Sequence, residues 1–206
     1  LPNLTHFYIR TPDSASRAGG DVDPGRFAAI VSLLRSIDGK VIVFANATKT
    51  VAALDENLRA LGDKDPRFAK VAAMSAKGKS IGRGGRAGGG GGARVTNAER
   101  KRIVDEFRGA DTDILISTDV LARGVDVEGV KAVIMYDLPY IRSGHRQGDP
   151  DYTVFQHRSG RTARGSKLGA CISLLSSPDE ARRFLWPASR APPAKGSLPQ
   201  ESFMWN

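Results

Sequence analysis

Short apolar segments alternate with amphipathic segments along this chain. The apolar segments are continuous, and they lie at residues 4–9, 41–46, 71–74, 113–118, 132–137 and 170–175. Strands that are buried on both faces of a sheet have this continuous pattern. Because strands that alternate with helices need right-handed crossovers, the strands are expected to be parallel. The pattern predicts an α/β fold with a parallel sheet over residues 1–186.

The amphipathic segments predict helices between these strands. We expect Asp23 to be the N-cap of the first helix, since Pro24 follows it and proline is favoured at the first helical position. Thr48 is expected to cap the second helix, and Asn97 the third. Ligands of parallel α/β sheets bind beyond the carboxyl ends of the strands. Asn46 lies at such an end, so its surroundings are a candidate site.

Three segments break the pattern. Residues 77–94 contain nine glycines, five Lys or Arg residues and no acid, so we expect a flexible inserted loop. Residues 142–151 form a second, polar insert, and residues 187–206 form an extended tail that frays or docks elsewhere. Two interpretations stay open for both inserts: they bind RNA or a partner protein, or they are tolerated surface expansions.

Composition narrows the partner classes. The chain of 206 residues has 31 Lys and Arg against 22 Asp and Glu, a net charge of +9 that favours a polyanionic partner. Cys171 is the single cysteine and is expected in the core, in a reducing compartment. No segment approaches the roughly 20 apolar residues of a membrane span, so no membrane partner is expected. The chain begins with Leu1, which suggests a piece of a longer polypeptide.

Two short motifs resemble nucleotide-binding elements but are not expected to function as such. Residues 73–80 satisfy a relaxed phosphate-loop pattern, yet a glycine tract follows them where a working loop needs a helix. Asp179 and Glu180 follow Ser-Ser-Pro, which is typical of a helix start that acids stabilise. We therefore predict no metal site, and no independent site for nucleotide phosphates and magnesium.

Two segments carry the candidate chemistry: residues 116–130, ISTDVLARGVDVEGV, and residues 155–169, FQHRSGRTARGSKLG. Arg158, Arg161 and Arg164 recur every three residues and share one face if the segment is helical. Three guanidinium groups on one face are costly unless an anion binds them, although a solvated basic face is the alternative. Gly160 within a helical turn costs about 1 kcal/mol, which suggests a close approach there.

Three motifs resemble those of a known family. VIVFAN resembles the fourth motif, ISTDVLARGVD the fifth and HRSGRTAR the sixth of superfamily 2 RNA helicases of the DEAD-box family. The chain is similar to the second, carboxyl-terminal RecA-like domain of these enzymes, which implies a RecA-like parallel sheet. In the residue pattern of its fifth and sixth motifs it resembles members that act in assembly of the large ribosomal subunit.

The resemblance implies an ATP site shared with an N-terminal RecA-like domain of the same protein. That other domain would provide most of the contacts to ATP and Mg²⁺. Arg161 and Arg164 would be arginine fingers on the γ-phosphate. Asp126 would accept a hydrogen bond from the ribose, unless it only satisfies a turn, and Gly124 would lie beside it. Ala163 stands where the family commonly has glycine, which leaves the local backbone geometry in question.

The same resemblance implies coupling and RNA-binding roles. His157 and Arg158 would couple the cleft to the acidic motif of the other domain. The residues expected to bind the RNA backbone are Asn46, Thr48, Arg100, Thr118, Asp119, Arg123 and Gly124. Asp119 and Arg123 could instead form a local pair that orients their loop, and Arg100 could be a solvated helix residue.

These observations lead to one functional expectation and one alternative. We expect the second half of an ATP-dependent RNA helicase that unwinds RNA or remodels ribonucleoproteins and is inactive as an isolated domain. Ribosomal RNA precursor, ribosome-assembly proteins and a nuclear, nucleolar location are expected from the family resemblance. The alternative is a catalytically silent scaffold within a ribonucleoprotein, although such a scaffold would not need Arg161, Arg164 or Asp126.

Overall fold

A computed structural model describes residues 3–12, 21–74, 96–109, 111–121, 127–145, 147–177 and 180. Within these residues, six strands form one fully parallel sheet in the order β1-β6-β5-β2-β4-β3. The strands are β1 (Leu4–Arg10), β2 (Lys40–Phe44), β3 (Val71–Met74), β4 (Ile114–Ser117), β5 (Val130–Met135) and β6 (Gly169–Leu175). All six predicted strands and the parallel α/β fold are confirmed.

Four α-helices lie among these strands in the part of the chain that the structure describes. They are α1 (Pro24–Ser36), α2 (Thr48–Ala60), α3 (Asn97–Arg108) and α4 (Tyr152–Ser159), and a short 3-10 helix, Pro66–Lys70, precedes β3. The Asp23 carboxylate accepts a hydrogen bond from the backbone N–H of Arg26 at 2.8 Å, so Asp23 is the N-cap of α1 as predicted.

Two predicted caps are wrong by one residue. Ala47 occupies the extended N-cap position of α2, so Thr48 is already helical and no side chain caps this helix. In α3 the cap is Thr96, because its hydroxyl accepts from the backbone N–H of Glu99 while the Glu99 carboxylate accepts from the backbone N–H of Thr96. This reciprocal pair satisfies two N–H groups at once, which Asn97 at the first helical position does not do.

Helix α4 is shorter than the arginine spacing suggested. It ends at Ser159, with Gly160 as its C-cap, so Arg161 and Arg164 lie beyond the helix and do not share one helical face with Arg158. Gly160 therefore ends a helix and is not a close approach inside one. Spacing by three fits a helix, but a glycine at the helix end permits the chain to turn away.

The core consists of two layers, one on each face of the sheet. Val41 and Val43 of β2 pack into one layer, and Ile42 and Phe44 pack into the other. Cys171 is fully buried in the second layer, as predicted, and burial raises the pKa of its thiol. None of the helices in the described ranges has the length and apolarity needed to cross a membrane.

The two longest irregular segments, 77–94 and 187–206, lie outside the described residues. Residues 142–151 are described except for residue 146. They are ordered by backbone hydrogen bonds, among them Ile141 N–H to the Asp149 carbonyl at 2.8 Å and Gly148 N–H to the Ile141 carbonyl at 2.9 Å. This insert is thus a short hairpin with a fixed backbone.

Candidate functional site

The carboxyl ends of β4, β2 and β5 meet along one edge of the sheet. Phe44 of β2 is in register with Ser117 of β4 and Met135 of β5, so the residues that follow these strands are neighbours. Asn46, Asp119 and Asp137 follow these three strands and lie together. The structure therefore brings together Asn46 and Asp119, two of the residues expected to bind RNA.

Arg158 is the centre of this cluster. Its Nε atom donates to Asp119 Oδ1 at 2.7 Å, its Nη2 atom to Asn46 Oδ1 at 2.8 Å, and its Nη1 atom to the Asp137 carbonyl oxygen at 2.9 Å. Helical side chains lean toward the N-terminus of their helix, so this one reaches back from the end of α4 to the carboxyl edge of the sheet. One guanidinium group thus joins the ends of three strands.

Arg158 is completely buried, which is rare for a charged side chain. Burial lowers the pKa of Arg158, while the neighbouring Asp119 carboxylate raises it. The guanidinium group stays charged, because the ordinary pKa of arginine is very high. Its guanidinium carbon lies 5.3 Å from the centre of the Phe44 ring, which adds a cation–π contact. The charge is therefore satisfied entirely by its own domain.

A second buried arginine extends the network and was not found from the sequence. Arg26 donates to Asp137 Oδ1 at 3.0 Å and to Glu180 Oε2 at 2.8 Å. Asp137 Oδ2 in turn accepts from the backbone N–H of Asn46 at 2.9 Å. Arg26 is on α1 and Asp137 follows β5, so only the folded topology shows that they meet. Glu180 also accepts from the backbone N–H of Ser176.

These contacts bear on two expectations. The described hydrogen bonds of the Arg158 guanidinium position three strand ends, and the interdomain coupling expected of Arg158 and of the exposed His157 stays a prediction. Asp119 pairs with Arg158 and, at 3.7 Å, with Arg142. Its other proposed partner, Arg123, lies outside the described residues, as do Gly124 and Asp126.

The other residues expected to bind RNA differ in how deeply they are buried. Thr118 is buried at the end of β4, and its backbone N–H donates to the Met74 carbonyl at 3.3 Å. Thr48 is half-buried at the start of α2. Arg100 is half-buried on α3, and its Nε atom is buried with no hydrogen-bond partner among the described residues. An unpaired buried donor of this kind is uncommon. This nitrogen is not solvated, and the contact of Arg100 with RNA stays a prediction.

Arg161 and Arg164 lie at the amino-terminal edge of the sheet, which is the edge opposite this cluster. Both line a cavity of about 380 Å³ whose walls are residues 127–130, which lead into β5, and the loop that leads into β6. The Nε atom of Arg161 donates to the His157 carbonyl at 3.1 Å, and that of Arg164 donates to the Gly160 carbonyl at 3.1 Å. Both arginines are thereby attached to the end of α4.

The loop that holds these arginines is packed tightly against the start of β6. The Thr162 hydroxyl donates to the Val130 carbonyl of β5. A Cβ atom added to Gly169 would lie 2.3 Å from Thr162 Oγ1 and 2.5 Å from the Ala163 nitrogen, so only glycine fits. Ala163 itself has φ of 56°, the left-handed region that favours glycine.

The cavity suits an anionic ligand. Arg161, Arg164 and Lys167 contribute positive charge to its walls, against the single acid Glu128. Burial lowers the pKa of Arg161, but arginine remains charged under all ordinary conditions. Across the described ranges, no group of three or more His, Cys, Asp or Glu side chains could hold a metal ion. These residues fit the phosphates of a nucleotide.

A model of the helicase conserved C-terminal domain matches residues 25–166, which is more than half of the chain. The chain belongs to this family. Its relatives include DEAD-box ATP-dependent RNA helicase 1 of Arabidopsis thaliana, 34% identical over 156 residues, which cover 75% of this chain and 24% of that protein. ATP-dependent RNA helicase dbp5 of Aspergillus niger is 41% identical over 87 residues, which cover 42% of this chain and 18% of that protein.

Solved structures of the DEAD-box family share this helicase domain's fold. S. cerevisiae Dbp5 bound to RNA and ADP BeF3 superposes with a TM-score of 0.69 over 92% of this chain and 39% of that one, at 24% identity. A DEAD-box protein from Methanococcus jannaschii gives 0.61 over 91% of this chain and 40% of that one, at 23% identity. The matched part of the chain covers a quarter or less of the length of each of the two curated helicases named above. The chain has the fold of a carboxyl-terminal RecA-like domain.

Proposed function

We propose that this domain supplies the arginine fingers and part of the RNA-binding surface of an ATP-dependent DEAD-box RNA helicase. In this proposal Arg161 and Arg164 face the phosphates of ATP, which an N-terminal RecA-like domain of the same protein holds together with Mg²⁺. Charge on the transferred phosphoryl group is stabilised by positioned arginines, which can contribute roughly 10³- to 10⁵-fold in rate. ATP hydrolysis would then drive local unwinding of RNA.

The observation that carries the proposal is the convergence of Arg161 and Arg164 on one cavity, with both side chains anchored to carbonyls at the end of α4. A scaffold without catalysis has no need for two arginines held at one anion-sized cavity. Asp126 and Gly124 are proposed to complete this site from the ribose side. His157 is proposed to contact the acidic motif of the other domain.

The proposed RNA surface is the carboxyl edge of the sheet. Asn46 and Asp119 lie together there. Thr48 and Thr118 are close to them in sequence, and Arg100 lies in the first turn of α3. Backbone phosphates and sugars are the suitable contacts, because an unwinding enzyme acts on RNA of any sequence. Arg123 and Gly124 are proposed to join this surface.

The test is RNA-stimulated ATP hydrolysis by the full-length parent protein. We expect Arg161→Ala to lower the stimulated rate by about 10³-fold while RNA affinity stays within a few-fold. The matched control is Arg35→Ala, which removes an exposed arginine that also pairs with a carboxylate but does not line the cavity. We expect the isolated chain to show no turnover. A folded parent that binds RNA but does not hydrolyse ATP would support the scaffold instead.

The proposal of a narrower substrate class, ribosomal RNA precursor, rests only on the residue pattern of the fifth and sixth motifs. The Arabidopsis and Aspergillus relatives are named as RNA helicases without reference to ribosome assembly, so they give it no support. Crosslinking of the parent protein to RNA in cells, followed by sequencing, decides the point. Enrichment of precursor ribosomal RNA would support a nucleolar assembly role with ribosome-assembly partners, and enrichment of other RNA classes would refute it.

A further inference from the structure

The hairpin formed by residues 139–151 lies beside the proposed RNA surface, and we call it the edge hairpin. Its two arms are joined by an isolated antiparallel β-bridge between Tyr140 and Pro150. They are also joined by the hydrogen bond from the Asp151 N–H to the Pro139 carbonyl at 2.9 Å. Gly144 and Gly148 have positive φ angles at its turns, which glycine adopts without strain. The hairpin can therefore present a side chain in a fixed place.

Arg142 is the side chain that the edge hairpin presents to the sheet edge. Its Nη2 atom donates to the Asn46 carbonyl oxygen and lies 3.7 Å from Asp119 Oδ2. Unlike Arg158, the Arg142 side chain is 65% exposed. It thus contacts two residues of the proposed RNA surface and still faces solvent.

The charge balance around Asp119 leaves room for an anion. Arg142 and Arg158 both lie beside this one carboxylate, so two cations share a single negative charge there. Within the edge hairpin, the Asp151 carboxylate is used to cap α4, where it accepts from the Val154 N–H at 3.0 Å. A phosphate at Arg142 would give this exposed guanidinium group a second anionic partner besides Asp119.

The start of α2 adds a second source of positive potential. No side chain caps this helix among the described residues, and its N-terminus carries a partial positive charge directly after Asn46. Lys49 in its first turn is 74% exposed and pairs with Asp21 at 2.8 Å. An anion near Arg142 would therefore face a helix N-terminus as well as a guanidinium group.

We propose that Arg142 of the edge hairpin binds a backbone phosphate of single-stranded RNA, and so extends the RNA surface beyond the residues at the strand ends. This proposal rests on the proposed RNA-binding function of the domain. The insert at residues 142–151 is, in this interpretation, a binding element and not a tolerated expansion. The contact is independent of RNA sequence, since only the phosphate is recognised.

Equilibrium binding of a fluorescent oligouridine to the full-length parent protein, measured over a range of salt concentrations, tests the contact. Each phosphate contact with single-stranded nucleic acid contributes about 0.7 to the slope of log K against log salt. We expect Arg142→Ala to reduce that slope by about 0.7 and the affinity at about 0.1 M salt by about fivefold. Arg142→Lys keeps the charge and should retain most of the slope.

Arg35→Ala is the matched control. It removes an arginine that is 55% exposed and also pairs with a carboxylate, but Arg35 lies in the last turn of α1, near the amino-terminal edge of the sheet. Arg142→Ala that binds like Arg35→Ala at every salt concentration would overturn this proposal alone. A loss of affinity with an unchanged slope would also overturn it, because Arg142 would then only position Asn46. A wild-type parent that binds no RNA would overturn both proposals.

Site-specific crosslinking gives a second test that does not depend on affinity. This chain of 206 residues has one native cysteine, Cys171, which is buried, so in this chain a benzophenone maleimide can be attached selectively through Ser143→Cys next to Arg142. Ser36→Cys, exposed at the end of α1, is the control. We expect several-fold more oligouridine crosslinked through position 143. Equal crosslinking at both positions would overturn the proposal.

Discussion

The guanidinium group of Arg158 is completely buried, whereas its ion-pair partner Asp119 is about one-third exposed, with 34% of its side chain accessible. The ion pair therefore lies at the boundary between the core and the proposed RNA surface. Water can reach the carboxylate but not the cation. Removal of the arginine leaves the Asn46 Oδ1 atom and the Asp137 carbonyl oxygen without their buried donor.

Arg158→Ala should lower the free energy of unfolding of this chain by about 3 kcal/mol or more, because the loss of one partner of a buried ion pair is strongly destabilising. Arg158→Lys should cost less, yet it cannot restore stability fully, since one ammonium group cannot reproduce the planar fork. Urea unfolding measures both changes. A change below about 0.5 kcal/mol for Arg158→Ala, typical of surface substitutions, would contradict this prediction.

Thr96→Ala should lower the free energy of unfolding by about 1 kcal/mol, because the hydroxyl caps α3 together with Glu99. Asn97→Ala is the matched control, and it should be neutral, since alanine is a better helix former at a position that makes no cap. Thermal or urea unfolding of the two variants distinguishes them. A larger loss of unfolding free energy for Asn97→Ala than for Thr96→Ala would show that Asn97 is the cap, as the sequence predicted.

Ala163→Gly should stabilise the chain, or leave it unchanged, although glycine usually destabilises. The backbone of Ala163 is left-handed, which costs roughly 1–2 kcal/mol for a residue with a Cβ atom, and glycine removes this cost but adds entropy to the unfolded chain. Ala52→Gly, in the exposed middle of α2, should cost about 1 kcal/mol. Equal losses for both variants in urea unfolding would show that Ala163 is not strained.

Asp55→Asn should change how stability depends on pH. Burial raises the pKa of Asp55 despite the hydrogen bond from Arg59, and its Oδ2 atom has no partner among the described residues. Protonation therefore favours the folded state, and the stability it contributes is lost as pH rises through the raised pKa. The variant should match wild type in acid and exceed it by about 1 kcal/mol near pH 7, because it removes a buried charge.

Unfolding in urea at several pH values checks this difference. Asp105→Asn, which changes an exposed carboxylate of α3 that pairs with Arg108, is the control at each pH. A stability advantage of Asp55→Asn that is independent of pH would show that the carboxyl group is not the cause.

The sheet could be predicted because each strand is a continuous apolar segment, and burial on both faces leaves that trace in the sequence. The cap of α3 was misplaced because Thr96 and Asn97 are both good cap residues, and only the partner Glu99 decides between them. The spacing of Arg158, Arg161 and Arg164 predicted one shared helical face, which is wrong because Gly160 ends the helix between them.

The network around Arg158 could not be predicted in the same way. Arg26 and Asp137 lie far apart in the sequence, and each resembles an ordinary charged residue near a helix or strand end. Their meeting depends on the strand order, which places β5 next to β2. The same holds for Arg142, whose contact with Asn46 requires the fold of the edge hairpin.

The six residues of β5 set the distance between the two sites of this domain. Asp137 follows the strand on the RNA side, and Val130 begins it beside the arginine loop, so the two sites are separated by about 20 Å. Mobile ions screen charges beyond about 8 Å in physiological salt. Direct attraction between exposed charges at the two sites is therefore weak, and in the proposed function α4 is the element that joins them: it holds Arg158 at one site and ends at the carbonyls that anchor Arg161 and Arg164 at the other.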